Sequence, residues 1–223
     1  MSVKLFFEAI LKFLLGVILV GALIFLPAGS LCYLGGWLLM GLLFVPMFIA
    51  GIVMMIRSPE LLARRLNGKE NLSEQGTVVK LSGLMFLLGF IVSGLGYRFG
   101  WFTLPKGVTI IGAVLFIVSY AMYAVVLKQN VYLSRTVAVE EDQRVIDSGL
   151  YSVVRHPMYS ATLLLFLSMP LILGSLYALL IFLAYPAIII KRLKSEEQFL
   201  SENLPGYRDY LKKVKYRLIP FIW

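Results

Sequence analysis

Long uninterrupted apolar runs limit this chain more than any other feature. They extend from Phe6 to Leu26, from Leu31 to Ile56, from about Leu81 to Tyr97, from Val108 to Leu127 and from Met158 to Ile190. Water does not reach the bilayer interior, so a spanning segment must satisfy its backbone hydrogen bonds internally, and a helix of about 20 apolar residues does this. With 60% hydrophobic and 15% charged residues and a mean hydropathy of +0.86, the fold expected is all-α: a polytopic integral membrane protein. The first run has no A-x-A-type exit after Leu26 and is kept as a membrane helix rather than a cleaved signal.

Pro27, Gly29 and Ser30 mark a tight turn that pairs the first two runs as a hairpin. Both are apolar around most of their circumference, so periodicity does not say which face meets protein and which meets lipid. Glu8 reads as a carboxylate at headgroup level. Between Arg57 and Lys80 the composition turns polar, with Arg64, Arg65 and Lys69 interleaved with Glu60, Glu70 and Glu74. SPELLARRL has serine before proline and an acidic residue in the first turn, which predicts a short interfacial helix from near Ser58. The short loop between the third and fourth runs holds Arg98, Trp101, Pro105 and Lys106, with Trp101 as an interface anchor. Gly89, Gly94, Gly96 and Gly112 lie within membrane runs and read as helix-packing positions.

The last run is too long for one crossing. A straight helix from Met158 to Ile190 would measure roughly 50 Å, against a hydrocarbon core of about 30 Å. It therefore divides into two short helices that turn around Pro170 to Ser175 and bring the chain after Ile190 back to the membrane face it left. Six membrane segments result, the last two a short helical hairpin, followed by C-terminal amphipathic helices. The basic residues agree: five lie between Arg57 and Lys80, four between Lys128 and Arg155 and eight from Lys191 onward, against none, two and none in the opposite loops. Both termini are expected on the cytoplasmic face. The net charge of +9 thus reflects topology and a lipid-bilayer partner, not nucleic acid. Cys32 is the only cysteine, which excludes an intrachain disulfide and a cysteine-based metal site.

Against this background GLYSVVRHPMY, from Gly149 to Tyr159, stands out. It collects the chain's single histidine, an arginine, a proline and two tyrosines between apolar segments. It follows a polar interval that carries Arg135, Glu140, Glu141, Asp142, Arg144 and Asp147. Pro157 can sit in the first turn of the helix that follows, which puts Arg155, His156 and Tyr159 at a helix entrance. Exposed N–H groups there suit a carboxylate or phosphate, and Arg155 would strengthen the site. Two readings follow: one wall of a ligand pocket at the membrane boundary, or a flank where arginine meets headgroups and tyrosine joins the aromatic belt. The tail from Lys191 to Trp223 poses the same choice. Arg192 and Glu196 share a helix face. Leu193 and Leu200 form an apolar stripe, and Pro205 and Gly206 stop the helix before a second amphipathic piece with Tyr207, Tyr210 and Val214. It reads either as a basic tail on anionic lipid or as the second wall of the pocket. One histidine and one cysteine disfavour zinc or di-iron chemistry, and no G-x-S-x-G or strand-borne G-x-G-x-x-G is present.

GLYSVVRHPMY, then a helical hairpin, paired glutamates after Arg192 and LPGYRDY resemble the isoprenylcysteine carboxyl methyltransferase family and its phospholipid methyltransferase relatives. The resemblance covers about Asn130 to Trp223. It implies an S-adenosyl-L-methionine pocket facing the cytoplasm, made by the RHPxY turn and the C-terminal helix, with a lipophilic or prenylated acceptor entering from the bilayer. It implies cofactor contacts at Tyr151, His156, Pro157, Met158, Tyr159 and Glu196, and an acceptor-orienting, catalytic role for Arg192. Gln143, Arg144, Val145 and Ile146 match a cofactor-lining stretch by distance from Gly149 but not by side-chain type, so contacts there would run through the backbone. Ala161 stands where the family commonly has glycine. The chain then divides into N-terminal membrane helices, 1–127, and a methyltransferase-like region, 128–223. The acceptor implied is the carboxylate of an isoprenylcysteine-like substrate. A phospholipid amine or a small thiol is the alternative, and would need His156, Glu197 or a tyrosine to take a proton. A membrane transporter or receptor would need intramembrane polar groups or an internal repeat, and a membrane reductase using NADPH could share a similar helical core.

Overall fold

The computed structural model describes residues 3–66, 73–130, 132–133, 139 and 142–223, the side chains of Val3, Arg64 and residues 73–75 excepted. Lys69, Glu70, Arg135, Glu140 and Glu141 lie outside the described residues. Those described form helices, with one isolated bridge between Thr103 and Ser175. The helices are α1 (Val3–Ala28), α2 (Leu34–Arg57), α3 (Pro59–Leu66), α4 (Ser73–Phe99), α5 (Lys106–Gln129), α6 (Pro157–Ile172), α7 (Leu176–Phe182), α8 (Tyr185–Asn203) and α9 (Tyr207–Lys213), with a 3-10 turn at Gly149–Ser152 before α6.

Five stretches are long and apolar enough to cross a membrane: Lys4–Ala28, Leu34–Arg57, Gly76–Phe99, Lys106–Gln129 and Leu176–Asn203. The sixth expected segment is α6, apolar but only 16 residues long, or about 24 Å at 1.5 Å per residue. Outward-facing side chains such as Leu26, Leu34 and Ile110 are large, apolar and exposed, as expected where the solvent is lipid. The short interfacial helix is present as α3, starting one residue after Ser58 with Glu60 in its first turn.

Where the helices touch, small residues let them approach, as packing in lipid requires. A Cβ on Gly94 would lie 2.5 Å from the Ile24 carbonyl oxygen of α1, and one on Gly89 would strike the Phe182 ring of α7 at 2.3 Å. One on Gly112 would stand 2.7 Å from Leu171 Cβ and 3.0 Å from the Ile172 nitrogen. Phe182 fills the centre with no exposure, edge-on to Phe86, which is also edge-on to Phe166.

The turn between α6 and α7 falls where the sequence places it. Gly174 takes a left-handed φ of +65°, and Ser175 Oγ caps α7 by accepting from the Ala178 N–H at 3.2 Å. The Leu104 N–H donates to the Gly174 carbonyl at 2.8 Å, which ties this bend to the loop between α4 and α5. The returning arm is itself broken between α7 and α8, a feature the sequence reading does not anticipate. Pro186 has no N–H to donate to the Phe182 carbonyl, and α8 restarts with that proline in its first turn. The outcome is that α8 brings Arg192, Glu196 and Glu197 back beside the entrance of α6.

The α5–α6 contact makes a testable demand. Gly112→Ala should lower the thermal unfolding midpoint in detergent by the equivalent of about 1–3 kcal/mol. Gly107→Ala, at a position with open space around it, should leave the midpoint unchanged or slightly raised. Equal effects would mean that the two helices are not in close contact.

Candidate active site

The turn before α6 is fixed by a glycine that no other residue replaces. Gly149 has φ +60°, and a Cβ there would stand 2.1 Å from Gln129 Nε2. The Gln129 side chain uses that space to accept from the Leu150 N–H at 3.1 Å. The 3-10 turn buries Tyr151, whose hydroxyl accepts from Asn130 Nδ2 at 2.9 Å and whose carbonyl accepts from the Tyr210 hydroxyl at 2.8 Å. Pro157 then begins α6, with His156 immediately before it.

Glu197 lies behind this turn. Its side chain is 8% exposed, and Oε1 accepts from Arg155 Nη1 at 2.8 Å and lies 3.3 Å from His156 Nε2, while Oε2 accepts from Arg217 Nε at 2.9 Å. Arg155 also donates through Nε to the Val214 carbonyl and through Nη2 to the Lys215 carbonyl. The Arg155 and His156 N–H groups donate to the Tyr216 and Arg217 carbonyls, and Ser160 Oγ donates to the Leu218 carbonyl at 2.6 Å. The segment after α9 is thus strapped across the RHPMY turn. This narrows the role expected for Arg155: it lines the cleft, but all three of its guanidinium nitrogens already donate to the strap and to Glu197.

Glu196 turns the other way. Its Oε2 accepts from the Tyr159 hydroxyl, which in turn accepts from Arg192 Nε at 3.0 Å. Arg192 and Glu196 are therefore bridged by Tyr159 across one turn of α8, rather than forming a surface ion pair. The three line a cleft together with Tyr151, His156, Met158 and the run Gln143 to Ile146. Of the residues predicted to contact a cofactor, Pro157 alone does not line it; it is fully buried and serves to start α6. Sequence reasoning did not name Asn130, Tyr132, Leu133 or Leu204 as cleft wall, and it left open whether the tail meets lipid or the pocket at Leu200, Tyr207 and Tyr210. The signal for the last two was their spacing of three after the Pro205–Gly206 stop. α9 does not lie out on lipid: Tyr207, Tyr210 and Val214 are buried with Leu204, Val145 and Leu200 as a second apolar cluster. Burial pushes the Tyr151 hydroxyl up to about 12, the Asn130 bond opposing it, and burial also raises Tyr207 and Tyr210. These phenols stay protonated near neutrality.

A second cavity adjoins the first. It lies between α4, α5, α6 and α8 under α3, lined by Val78, Val79, Gly83, Phe86, Phe166 and Ile189 with Arg65, Tyr123, Thr162 and Tyr185. Met158, Tyr159 and Arg192 line both cavities. A cleft of mixed polarity and a mainly apolar groove therefore share one wall, and the Arg192–Tyr159–Glu196 chain runs through it.

Residues 103–205, just under half of the chain, match the phospholipid methyltransferase family, which belongs with the isoprenylcysteine carboxyl methyltransferase-like membrane enzymes. This match supports a membrane methyltransferase. Over 91 residues, 40% of this chain, the sequence is 30% identical to the mouse Delta(14)-sterol reductase TM7SF2. The matched stretch spans 22% of that protein's length.

The two neighbouring glutamates should separate in experiment. Glu197→Gln leaves two guanidiniums without their carboxylate and should destabilise the fold by about 3–5 kcal/mol, with faster tryptic cleavage after Lys215 or Arg217. Glu196→Gln should leave both the unfolding midpoint and the cleavage rate near wild type. Equal stability losses would show that the strap does not depend on Glu197.

Proposed function

We propose that this chain is an integral membrane methyltransferase that transfers a methyl group from S-adenosylmethionine to a lipophilic acceptor, the carboxylate of an isoprenylcysteine-like substrate. The wall shared by cleft and groove carries the reading: a water-soluble donor and a lipid-borne acceptor meet at Met158, Tyr159 and Arg192. The described lining of the cleft comes from Asn130 onward, whereas the groove takes Arg65, α4 residues and Tyr123 from the N-terminal membrane helices. Residues 128–223 then supply the donor site, and residues 1–127 supply walls of the acceptor site. The excess of basic residues on the side of the RHPMY turn supports a cleft that faces the cytoplasm.

The donor set fits the cofactor. Glu196 offers a carboxylate to hydroxyl or amino groups, the Gln143–Ile146 stretch offers backbone, and Tyr151, Tyr159, Tyr207 and Tyr210 offer aromatic faces to a cationic sulfonium. When bound, S-adenosylmethionine supplies a sulfonium methyl group, which a carboxylate takes without giving up a proton. That suits a cleft whose Tyr151, Tyr207 and Tyr210 hydroxyls are held neutral. Arg192 orients the acceptor carboxylate with its planar fork, and Tyr159 holds Arg192 in register with Glu196. Alignment of this kind contributes roughly 7 to 11 kcal/mol toward a transfer step. His156, stacked on Tyr159 at 5.7 Å between ring centres, fixes the tyrosine's plane.

The sterol reductase likeness supports a second reading, a reductase that binds NADPH. A nucleotide with several phosphates would meet the Glu196 carboxylate in the cleft, and of the three arginines that line it Arg155 is already committed three times, which favours the sulfonium cofactor. Methyl transfer from labelled S-adenosylmethionine into prenylated thiol carboxylates, phospholipids and small thiols, run in parallel, tests the proposal. We expect label in the carboxylates. Label in phospholipid alone would move the acceptor to an amine, and none in any acceptor would remove the enzyme reading. Arg192→Lys should cut transfer at least tenfold while calorimetric S-adenosylmethionine affinity stays within a few-fold. Loss of cofactor affinity together with activity would place Arg192 in the donor site instead.

A further inference from the structure

The groove contains a charged group whose hydrogen bonds are incomplete. Arg65, the penultimate residue of α3, donates through Nη1 to the Tyr123 hydroxyl at 2.8 Å, and its guanidinium lies 5.6 Å from the Tyr123 ring centre. Its Nε and Nη2 atoms are buried and have no hydrogen-bond partner among the described residues. An arginine that merely reached for headgroups from an interfacial helix would carry these atoms in water. A buried guanidinium edge left unpaired is costly, and such groups are normally matched by an anion.

The pair left open is informative. Nε and Nη2 form one side of the guanidinium plane, with two parallel N–H bonds spaced to meet the two oxygens of a carboxylate or phosphate. Tyr123 holds the opposite side, so the open edge is fixed in orientation. Among its described lining residues the groove has two arginines, Arg65 and Arg192, and no carboxylate. Its other walls are mainly apolar, from Val78 to Phe86 on α4 and Phe166 on α6. The charge therefore disfavours a cationic head group and the walls disfavour a small hydrophilic one.

We propose that Arg65 is the specificity-determining residue of the groove, and that its Nε/Nη2 edge grips the two-oxygen anionic head of an alkyl amphiphile. The proposal rests on the groove being the acceptor site, but Arg65 acts in binding and needs no cofactor. The acceptor is then selected for its negative charge at a residue of the N-terminal half, outside the RHPMY turn and α8.

Binding to the full chain in phosphatidylcholine nanodiscs, without S-adenosylmethionine, tests it. The probes are 11-(dansylamino)undecanoate, its methyl ester and 11-(dansylamino)undecyl phosphate, read by dansyl fluorescence. The two anions should bind at least tenfold more tightly than the ester, and the tighter of the two identifies the head group as carboxylate or phosphate. Arg65→Gln should cut the preference several-fold, down to what Arg192 supplies, and Arg65→Lys, which keeps the charge without the fork, should cut it less. If Arg65→Gln does not fold, Tyr123→Phe serves in its place and should weaken anion binding several-fold while ester binding holds. An ester that binds as well as the acid, or a preference left undiminished by loss of the guanidinium or of its tyrosine anchor, overturns the proposal. S-adenosylmethionine binding on the same preparations keeps the two ideas apart. Arg65-dependent anion binding without cofactor binding supports the groove assignment and removes the methyltransferase reading, whereas cofactor binding with no anion preference overturns only the groove assignment.

Discussion

The site depends on one carboxylate. Glu197 receives Arg155 and Arg217 and lies against His156, so a single side chain of α8 joins the turn before α6 to the segment that follows α9. A carboxylate in so little water is tolerated because His156 and two guanidiniums surround it, and those guanidiniums are tolerated there because of it. Arg217 is further held over the Trp223 ring at 5.0 Å. Everything on the cleft side follows: with Glu197 fixed, the next residue toward the N-terminus, Glu196, points into the cleft, and Arg192, one turn earlier, meets Tyr159.

Two cavities with one common wall are what a reaction between a polar donor and a lipid-borne acceptor requires. The groove lies among helices long and apolar enough to cross a membrane, while the cleft is closed by α9 and the Gln143–Ile146 stretch. The phospholipid methyltransferase match reaches from Thr103, within the loop between α4 and α5, through α8. It therefore includes the helices that make the shared wall but neither α3 nor the strap. Arg65 and Glu197's partner Arg217 lie beyond it, which is where this chain can differ in acceptor and in the way the cleft is closed.

Much of the architecture was legible because lipid imposes simple rules. Apolar run lengths marked the four N-terminal helices that are long enough to cross a membrane, and the excess length after Met158 located the turn at Gly174. Helical spacing put Arg192 and Glu196 on one face. What was not legible depended on distant chain. Arg155 looks like a ligand for an anion when read beside its neighbours, and only the folded strap shows carbonyls about 60 residues later occupying it. Glu196 and Glu197 are chemically identical in sequence; the packing of α8 assigns one to the cleft and the other to the strap. Arg65 is one of five basic residues in a polar connection, and nothing local sets it apart. The break after Phe182 was present in Pro186 but was masked by an apolar run that reads as continuous.

The central claim is that the cleft beside Glu196 receives a sulfonium nucleoside. Thermal unfolding of the purified chain with S-adenosylhomocysteine, S-adenosylmethionine or NADPH tests it most directly, since a ligand that binds only the folded state stabilises it by about 2.7 kcal/mol at a hundredfold excess over its dissociation constant. The account predicts a rise in midpoint with both adenosyl compounds, lost in Glu196→Gln, and none with NADPH. A rise with NADPH alone would contradict it.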